Sequence, residues 1–362
     1  MLSNIQSQAL AHVRARAAQG LDAARANITA ILARHAAADR AAELLGSHFR
    51  ERAVITLNFH PDRLRADGLT VAEGLLQESR YKNQFETGVT NGSPTAVRGG
   101  ERDLWEERLF GNAYQTGELQ PRERPKYGAL NLMRHADGGS PRFGSCYVEL
   151  TPSVSTRCTL TWGDSHQAPE YVGTADTPEP VMSALLETIE TTGAALGVAG
   201  VDVAYLLRVL ARQSTADPRA LASSTPGRAL DEYIEAQVHG DIDLRTDVAR
   251  LVADPSFDGT PTGEQLRDLA RCNGLQFSWQ AGFVLDVDEV PADFRGSEMV
   301  PLARRIAAFS PVSGRLDAAT LGRALALLHR EPQCWADWGT PAETWQHIKQ
   351  LWHVLVRFGR AP

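Results

Sequence analysis

Residues 233–240 alternate strictly between apolar and polar side chains, and this pattern constrains the fold of the chain more than any other. A two-residue period is that of a β-strand with one buried face. The apolar side chains are expected to face a core and the polar ones the opposite side: Ile234, Ala236 and Val238 against Glu235, Gln237 and His239. A carboxylate, an amide and an imidazole in one row are unfavourable unless solvent or a ligand contacts them. Taken alone, the segment favours an edge strand with a solvated polar face.

The composition is that of a globular protein with enough length for one large domain or two. The chain has 362 residues, of which 43% are hydrophobic and 22% are charged. Its net charge of −7 argues against a nucleic-acid partner bound through phosphate contacts. The four cysteines form no C-x-x-C pair, which argues against a zinc site and against a disulfide framework.

No membrane segment or secretory signal is expected. The longest apolar runs are shorter than the roughly 18 residues that a membrane-spanning helix needs. The first 20 residues lack the continuous apolar segment of a signal peptide. We therefore expect a cytoplasmic protein without membrane contact, or an effector that is exported without a cleaved signal.

The pattern of predicted elements divides the chain into three regions. Residues 1–50 predict two helices, broken near Gly20 or Asn27. Residues 53–295 contain a series of short strands with few helical crossovers, which predicts a mixed, mainly antiparallel central sheet. Residues 297–362 predict helices packed on that central domain. The fold class is therefore α+β. Within the central region, further helices are expected at 179–196, 203–214, 244–253 and 263–272.

Two other predicted strands also present polar groups. Residues 53–60 predict a strand with His60 at its end, followed by Pro61 and, shortly after, by Arg63. In the second strand, near residue 127, Tyr127 lies on the face opposite to the leucines, and its neighbour Gly128 permits the close approach of another backbone or a ligand. The segment 84–94 between them has the composition of an ordered loop, and such loops often carry function.

His60, Tyr127 and Glu235, in this order on successive strands, resemble the ADP-ribosyltransferase superfamily. In its His-Tyr-Glu branch, the His hydrogen-bonds the adenosine ribose, the Tyr stacks on nicotinamide, and the Glu engages the nicotinamide ribose. Glu235 and Gln237 are also similar to the Glu/Gln pairs, two residues apart, of toxin-type members. The chain further looks like a bacterial family of unknown function, in its blocks NFHPDR, QFETGVTNGS, RPKYGALNL and YIEAQVHG.

The resemblance implies an ADP-ribosyltransferase or NAD glycohydrolase that uses NAD as substrate, needs no metal, and transfers to an unknown protein or small molecule. Glu235 would be the catalytic carboxylate, because cleavage of the nicotinamide–ribose bond passes through an oxocarbenium-like state that a carboxylate stabilises. Gln237 would orient the acceptor or the ribose. NAD would be bound by two strands and the loop between them, through His60, Arg63, Thr87, Gly88, Asn91, Ser93 and Tyr127.

Two of these assignments have alternatives. His60 is followed by Pro61 and not by the Gly that is usual in the superfamily, so Arg63 could replace His60 in binding a ribose or a phosphate. Glu232 is a second candidate for the catalytic carboxylate. The strand parity puts Glu232 on the apolar face, which favours Glu235.

Other functions are less favoured by the sequence. Asp164, Ser165 and His166 suggest a hydrolase, but chain neighbours rarely point at each other and no G-x-S-x-G motif is present, so a polar turn is preferred. A metal-dependent hydrolase using Asp164, His166 and His239 lacks supporting spacing. The main alternative is a non-catalytic protein-interaction module, in which Glu235 would be solvated or distant from the other candidates.

Overall fold

The structure, a computed structural model, describes residues 2–35, 38–88, 96–115, 119–215 and 228–362. Thirteen α-helices lie in these residues: α1 (Asn4–Gln19), α2 (Leu21–Arg34), α3 (Ala38–Arg50), α4 (Val71–Glu78), α5 (Gln84–Thr87), α6 (Glu101–Phe110), α7 (Glu179–Thr192), α8 (Val203–Thr215), α9 (Leu244–Asp247), α10 (Pro261–Asn273), α11 (Met299–Ala307), α12 (Ala318–Arg330) and α13 (Pro341–Phe358). None of the helices within the described ranges combines the length and the apolar character needed to cross a membrane.

The same residues contain fourteen β-strands: β1 (Ile55–Phe59), β2 (Arg80–Tyr81), β3 (Lys126–Leu130), β4 (Cys146–Leu150), β5 (Cys158–Trp162), β6 (Val172–Thr174), β7 (Ala194–Ala195), β8 (Val198–Ala199), β9 (Ile234–Val238), β10 (Ile242–Asp243), β11 (Val248–Ala253), β12 (Gln276–Trp279), β13 (Leu285–Asp286) and β14 (Arg315–Leu316). Eight of them form one sheet in the order β12, β11, β4, β1, β3, β9, β5, β6. All neighbours in it are antiparallel except β11 and β12, which are parallel.

The architecture confirms the predicted α+β class, with a mainly antiparallel central sheet and helices at both ends of the chain. The three predicted regions share one cluster of buried apolar side chains, which extends from Ile28 in α2 to Val356 in α13. Burial of apolar area on this scale is the main stabilising contribution to such a fold.

The central sheet has one apolar and one polar face, as the alternation in its strands dictates. Register pairs Leu57 of β1 with Val148 of β4, and Ala236 of β9 with Leu160 of β5, on the apolar face. Gly128 of β3 also lies opposite Ala236, and a side chain there would come within 2.4 Å of the Thr56 carbonyl oxygen. The glycine therefore permits close packing of β3 against β1, as its sequence context predicted.

The strand β9 is not an edge strand, because it lies between β3 and β5 in the middle of the sheet. Its polar side chains are buried: Glu235 is 4% exposed, and Gln237 and His239 are 0% exposed. The solvated edge that the segment favours by itself is therefore wrong. Strand order is set by long-range pairing, and the two-residue period of one strand carries no information about it.

Two helix predictions need correction. Residues 244–253 were predicted as one helix, but only the first four form α9 and the rest form β11, which pairs with β4 on one side and β12 on the other. Burial against both neighbouring strands overrides local helix propensity there. The N-terminal region contains three helices where two were predicted, with the first break at Gly20 as expected.

Candidate active site on the polar face of the sheet

A cavity of about 370 Å³ opens over the polar face of the central sheet. This volume is within the range of small-molecule sites, roughly 300–1,000 Å³. Its walls come from β3, β9, α6, α13 and the segments that follow β1 and β5. Five of the residues predicted as site residues are among those that line it: His60, Arg63, Thr87, Tyr127 and Glu235.

Glu235 extends from β9 into the wall of the cavity. Its Oε1 accepts a hydrogen bond of 2.8 Å from Nε2 of Gln237, and its Oε2 makes a longer contact of 3.5 Å with the backbone N–H of Ser165. Burial and then the negative charge of Asp164 raise the pKa of Glu235 to about 7. The carboxyl group is therefore partly ionised at neutral pH, and a bound charge can change its protonation state.

Gln237 is fully buried behind Glu235 and is not among the described residues that line the cavity. Its Oε1 accepts a hydrogen bond of 2.7 Å from the hydroxyl of Thr159, and its Nε2 donates to Glu235 and, at 3.3 Å, to the hydroxyl of Thr161. The two threonines on β5 and the amide on β9 thus fix one orientation of the carboxylate. This position suits a residue that holds Glu235, and not the predicted contact with an acceptor or ribose.

Tyr127 and Glu235 are neighbours on the same face of adjacent strands. The register of β3 and β9 pairs Tyr127 with Gln237 and Ala129 with Glu235. Diagonal positions of this kind are within reach of an aromatic side chain. The half-buried tyrosine ring and the buried carboxylate therefore form adjoining parts of one wall.

A stack of one cation and two aromatic rings adjoins this wall. The guanidinium of Arg102 lies 4.7 Å from the centroid of the Tyr127 ring and 4.6 Å from that of the Trp105 ring. The Tyr127 hydroxyl donates a hydrogen bond of 2.8 Å to Glu106, which in turn accepts one of 2.6 Å from Arg124. Cation–π contacts hold Arg102, while the buried ion pair behind Tyr127 fixes its ring.

His60 lies directly after β1, where the sequence predicted it, and lines the cavity. Its ring packs edge-on against Trp352 of α13, with 5.0 Å between the ring centroids. Burial and then the positive charge of Arg63 lower the pKa of His60 well below its ordinary value of 6.5. The imidazole is therefore neutral at pH 7, with one donor and one acceptor nitrogen. Arg63 is also buried in this wall, 3.7 Å from Asp62.

The segment that follows β5 is a polar turn, as the sequence predicts, and it also contributes to the cavity. Asp164, Ser165 and His166 all line the cavity together with Glu235. Nδ1 of His166 lies 2.7 Å from Oδ1 of Asp164, and the backbone N–H of His166 donates to the same oxygen at 3.1 Å. A 3₁₀ turn at Ser165–Gln167 brings the two side chains together although they are only two positions apart.

The remaining candidates have different positions. Gly88 ends α5 with a φ of +67° and lines a second cavity, while Asn91 and Ser93 lie outside the described residues. His239 is fully buried, with 2.6 Å between its Nδ1 and the hydroxyl of Tyr114, and is not among the described lining residues. Glu232 precedes β9 and is exposed. It therefore does not lie on the apolar face of this strand, where the sequence parity places it. In the ranges described, no cluster of three or more His, Cys, Asp and Glu is arranged to hold a metal.

The cavity is cationic although the chain is acidic. Among the described lining residues, eight are Lys or Arg and three are Asp or Glu, whereas the whole chain has a net charge of −7. Several of these cations pair with carboxylates behind the wall, as Arg80 does with Glu86. Burial, followed by the positive charges of Arg142 and Arg295, lowers the pKa of Lys349 of α13 to about 8, and both arginines also pair with the exposed carboxylate of Asp231. This part of the cavity favours an anionic group.

Residues 54–358 match a family described as Protein of unknown function (DUF3626). The chain belongs to this family. The match begins just before β1 and ends at the last residue of α13, so the family unit includes Lys349 as well as Glu235. This match over residues 54–358 confirms the prediction that the chain belongs to a family of unknown function. Compared with curated proteins, the chain has no match.

Several residues of the cavity wall have no clear signal in the sequence. Arg102 and Trp105 are three positions apart on α6 and share one helix face, but the sequence between about residues 65 and 125 is polar and lacks clear periodicity. Lys349 lies in a helix that was expected only to pack on the central domain. The burial of Glu106 has no local signal, since its partner Arg124 lies 18 positions further along the chain.

We expect Glu235→Gln to stabilise the fold at alkaline pH. The pKa of Glu235 is raised to about 7 in the folded protein, so its favourable contribution is complete below the ordinary value of 4.5 and is lost as the pH rises through 7. The rise in the pKa of Glu235 from 4.5 to about 7 corresponds to roughly 3 kcal/mol of unfolding free energy. Thermal unfolding at pH 5 and pH 8.5 should show the variant more stable than the wild type only at pH 8.5.

Glu232→Gln is the matched control, because Glu232 is exposed on the same segment. This variant should have the stability of the wild type at both pH values. A Glu235→Gln variant whose stability relative to the wild type is the same at pH 5 and pH 8.5 would contradict the raised pKa.

Proposed function

We propose that this protein cleaves the nicotinamide–ribose bond of NAD and transfers the ADP-ribose, as an ADP-ribosyltransferase or NAD glycohydrolase. One observation carries the proposal. The carboxylate of Glu235 lies in the wall of the same cavity as the Tyr127 ring and His60. These are the three residues, in chain order, that resemble the His-Tyr-Glu branch of the ADP-ribosyltransferases. The non-catalytic alternative is disfavoured because Glu235 is buried in a cavity wall and not solvated.

The stack on Tyr127 supports a site for the nicotinamide ring. Arg102 is a planar cation held between the rings of Tyr127 and Trp105. The nicotinamide of NAD is also a planar cation, so the same aromatic surface suits it when the flexible arginine side chain moves aside. Cleavage converts the ring to a neutral molecule, which loses the cation–π attraction and can leave.

The charge state of Glu235 suits the breaking bond. Cleavage transfers positive charge from the nicotinamide to the ribose, and an ionised carboxylate nearby stabilises that charge. The cationic nicotinamide ring next to the carboxyl group also favours its ionised form, so the binding of NAD should lower the raised pKa of Glu235. Gln237 holds the carboxylate in one orientation during this step.

The cations and His60 suit the remainder of the dinucleotide. Arg142 and Lys349 line the cavity and would provide positive charge for the pyrophosphate, which would compete with the exposed Asp231 for the guanidinium of Arg142. The neutral His60 can donate to or accept from a ribose hydroxyl, and Arg63 is the alternative ligand there. NAD is a cytoplasmic metabolite, so the activity is assigned to the cytoplasm, either of the producing cell or of one that receives the protein as an effector.

The first prediction for this function concerns nicotinamide release from NAD. At NAD concentrations well below KM, the wild type should release nicotinamide at a rate that increases as the pH rises through about 7, because Glu235 of the free protein must be ionised. Glu235→Gln should lower the rate by about 100-fold or more, since the neutral amide cannot stabilise the positive charge. Chromatography of the reaction measures the released nicotinamide.

The exposed Glu232→Gln variant should retain the wild-type rate. Absence of both NAD binding by calorimetry and turnover in the wild type, with cell lysate as a source of acceptors, would exclude the proposal and leave the protein-interaction module as the better account.

The second prediction concerns the ring of Tyr127. Tyr127→Ala should raise the Kd for NAD by about 10-fold, because it removes the aromatic surface under the nicotinamide. Tyr127→Phe keeps that surface and loses only the hydrogen bond to Glu106, so its Kd should remain close to that of the wild type. The Kd values are measured by calorimetry on proteins that also carry Glu235→Gln, so that NAD is not cleaved during the measurement. Equal losses in the two variants would show that the ring does not stack on NAD.

A further inference from the structure

Asp164 and His166 form a carboxylate–imidazole pair in the cavity wall that the proposed bond cleavage does not use. Nδ1 of His166 is 2.7 Å from Oδ1 of Asp164, and the His166 side chain is 46% exposed. Ser165 between them contacts Glu235 through its backbone N–H. The pair therefore adjoins the catalytic carboxylate on one side and is open to solvent on the other.

The pairing fixes which nitrogen of His166 carries the proton. Burial favours a protonated Asp164, but the hydrogen bonds from His166 outweigh it and hold the pKa of Asp164 below its ordinary value. An ionised carboxylate only accepts hydrogen bonds, so Nδ1 of His166 must be the donor. In the neutral ring, Nε2 then has a free lone pair. This is the arrangement in which a carboxylate orients a histidine as general base.

We propose that His166 is the general base that deprotonates the acceptor, with Asp164 as its positioning residue, and that the acceptor is a neutral hydroxyl group of water or of an alcohol. This inference rests on the proposed cleavage of NAD. A hydroxyl is a weak nucleophile that needs a base to take up its proton as the new bond forms.

The charges of the cavity favour a neutral acceptor over a cationic one. The described lining contains eight Lys and Arg side chains against three Asp and Glu side chains, and five of the eight cations pair with a carboxylate outside the lining. Lys349 is not one of these five and lines the same cavity as His166. A guanidinium or ammonium group close to Lys349 would be repelled by its charge. A hydroxyl carries no charge and meets no such barrier.

The step is balanced without any additional reactant. The C1′–N bond between ribose and nicotinamide breaks, and its electron pair passes to the nicotinamide nitrogen, which becomes neutral. The acceptor oxygen forms the C1′–O bond, and its proton moves to Nε2 of His166. The resulting imidazolium is stabilised by Asp164 until it loses the proton to solvent.

The test compares His166→Ala with the wild type on NAD in water and in water containing methanol or agmatine. Water, methanol and the guanidinium of agmatine give ADP-ribose, methyl ADP-ribose and ADP-ribosylagmatine, which chromatography separates. We expect the variant to form the first two products at least about 100-fold more slowly, with its Kd for NAD within about twofold of the wild type. Added imidazole should restore at least a tenth of the lost rate. Agmatine should not compete with either hydroxyl acceptor in the wild type.

Two comparisons make the result specific. His35→Ala removes a surface histidine that also contacts a carboxylate, that of Glu190 at 3.2 Å, and should retain the wild-type rate. Added imidazole should not restore the rate of Glu235→Gln, because this variant lacks the catalytic carboxylate but still has the base His166. The inference is overturned if His166→Ala forms product at the wild-type rate, if its loss is not restored by imidazole, or if agmatine is the preferred acceptor. Absence of cleavage by the wild type would instead remove the proposed function itself.

Discussion

The burial of Glu235 in the middle of the central sheet is the constraint on which the proposed site depends. The strand β9 pairs with β3 and β5, and the carboxylate of Glu235 is only 4% exposed and accepts a hydrogen bond from Gln237. Two threonines of β5 complete the environment of that amide. The same pairing brings Tyr127 beside Glu235 and the turn after β5 in front of it. One set of strand contacts thus assembles the carboxylate, the ring and the Asp164–His166 pair.

Electrostatic interactions between these side chains determine their ionisation states. Glu235 and Asp164 are close enough that the ionised Asp164 helps to raise the pKa of Glu235, while His166 keeps Asp164 ionised. A carboxyl group with a pKa of about 7 responds to the charge of its ligand, as a group that must stabilise a transient cation should. The Lys and Arg side chains that line the same cavity would favour the anionic part of the proposed dinucleotide substrate. Burial that is unfavourable for stability is retained where it can serve function.

The sequence predicted the elements of the site better than their arrangement. The two-residue period of 233–240 identified β9 and the shared face of Glu235 and Gln237, and the proline after His60 marked the end of β1. The central position of β9 could not be predicted, because strand order depends on contacts between distant parts of the chain. For the same reason, the helical pattern of 244–253 was misleading once β11 paired with two neighbours. The Asp164–His166 contact was missed because it depends on a local 3₁₀ turn that sequence spacing alone does not specify.

The most direct test of the central claim is a titration of the Glu235 carboxyl carbon by NMR, with selective ¹³C labelling of glutamate and Glu235→Gln for assignment. It is carried out in the free protein and with an NAD analogue whose nicotinamide ribose is carbocyclic and resists cleavage. We expect a midpoint at about 7 in the free protein and a lower midpoint with the analogue bound. A midpoint near the ordinary value of 4.5 that the analogue leaves unchanged would contradict this expectation.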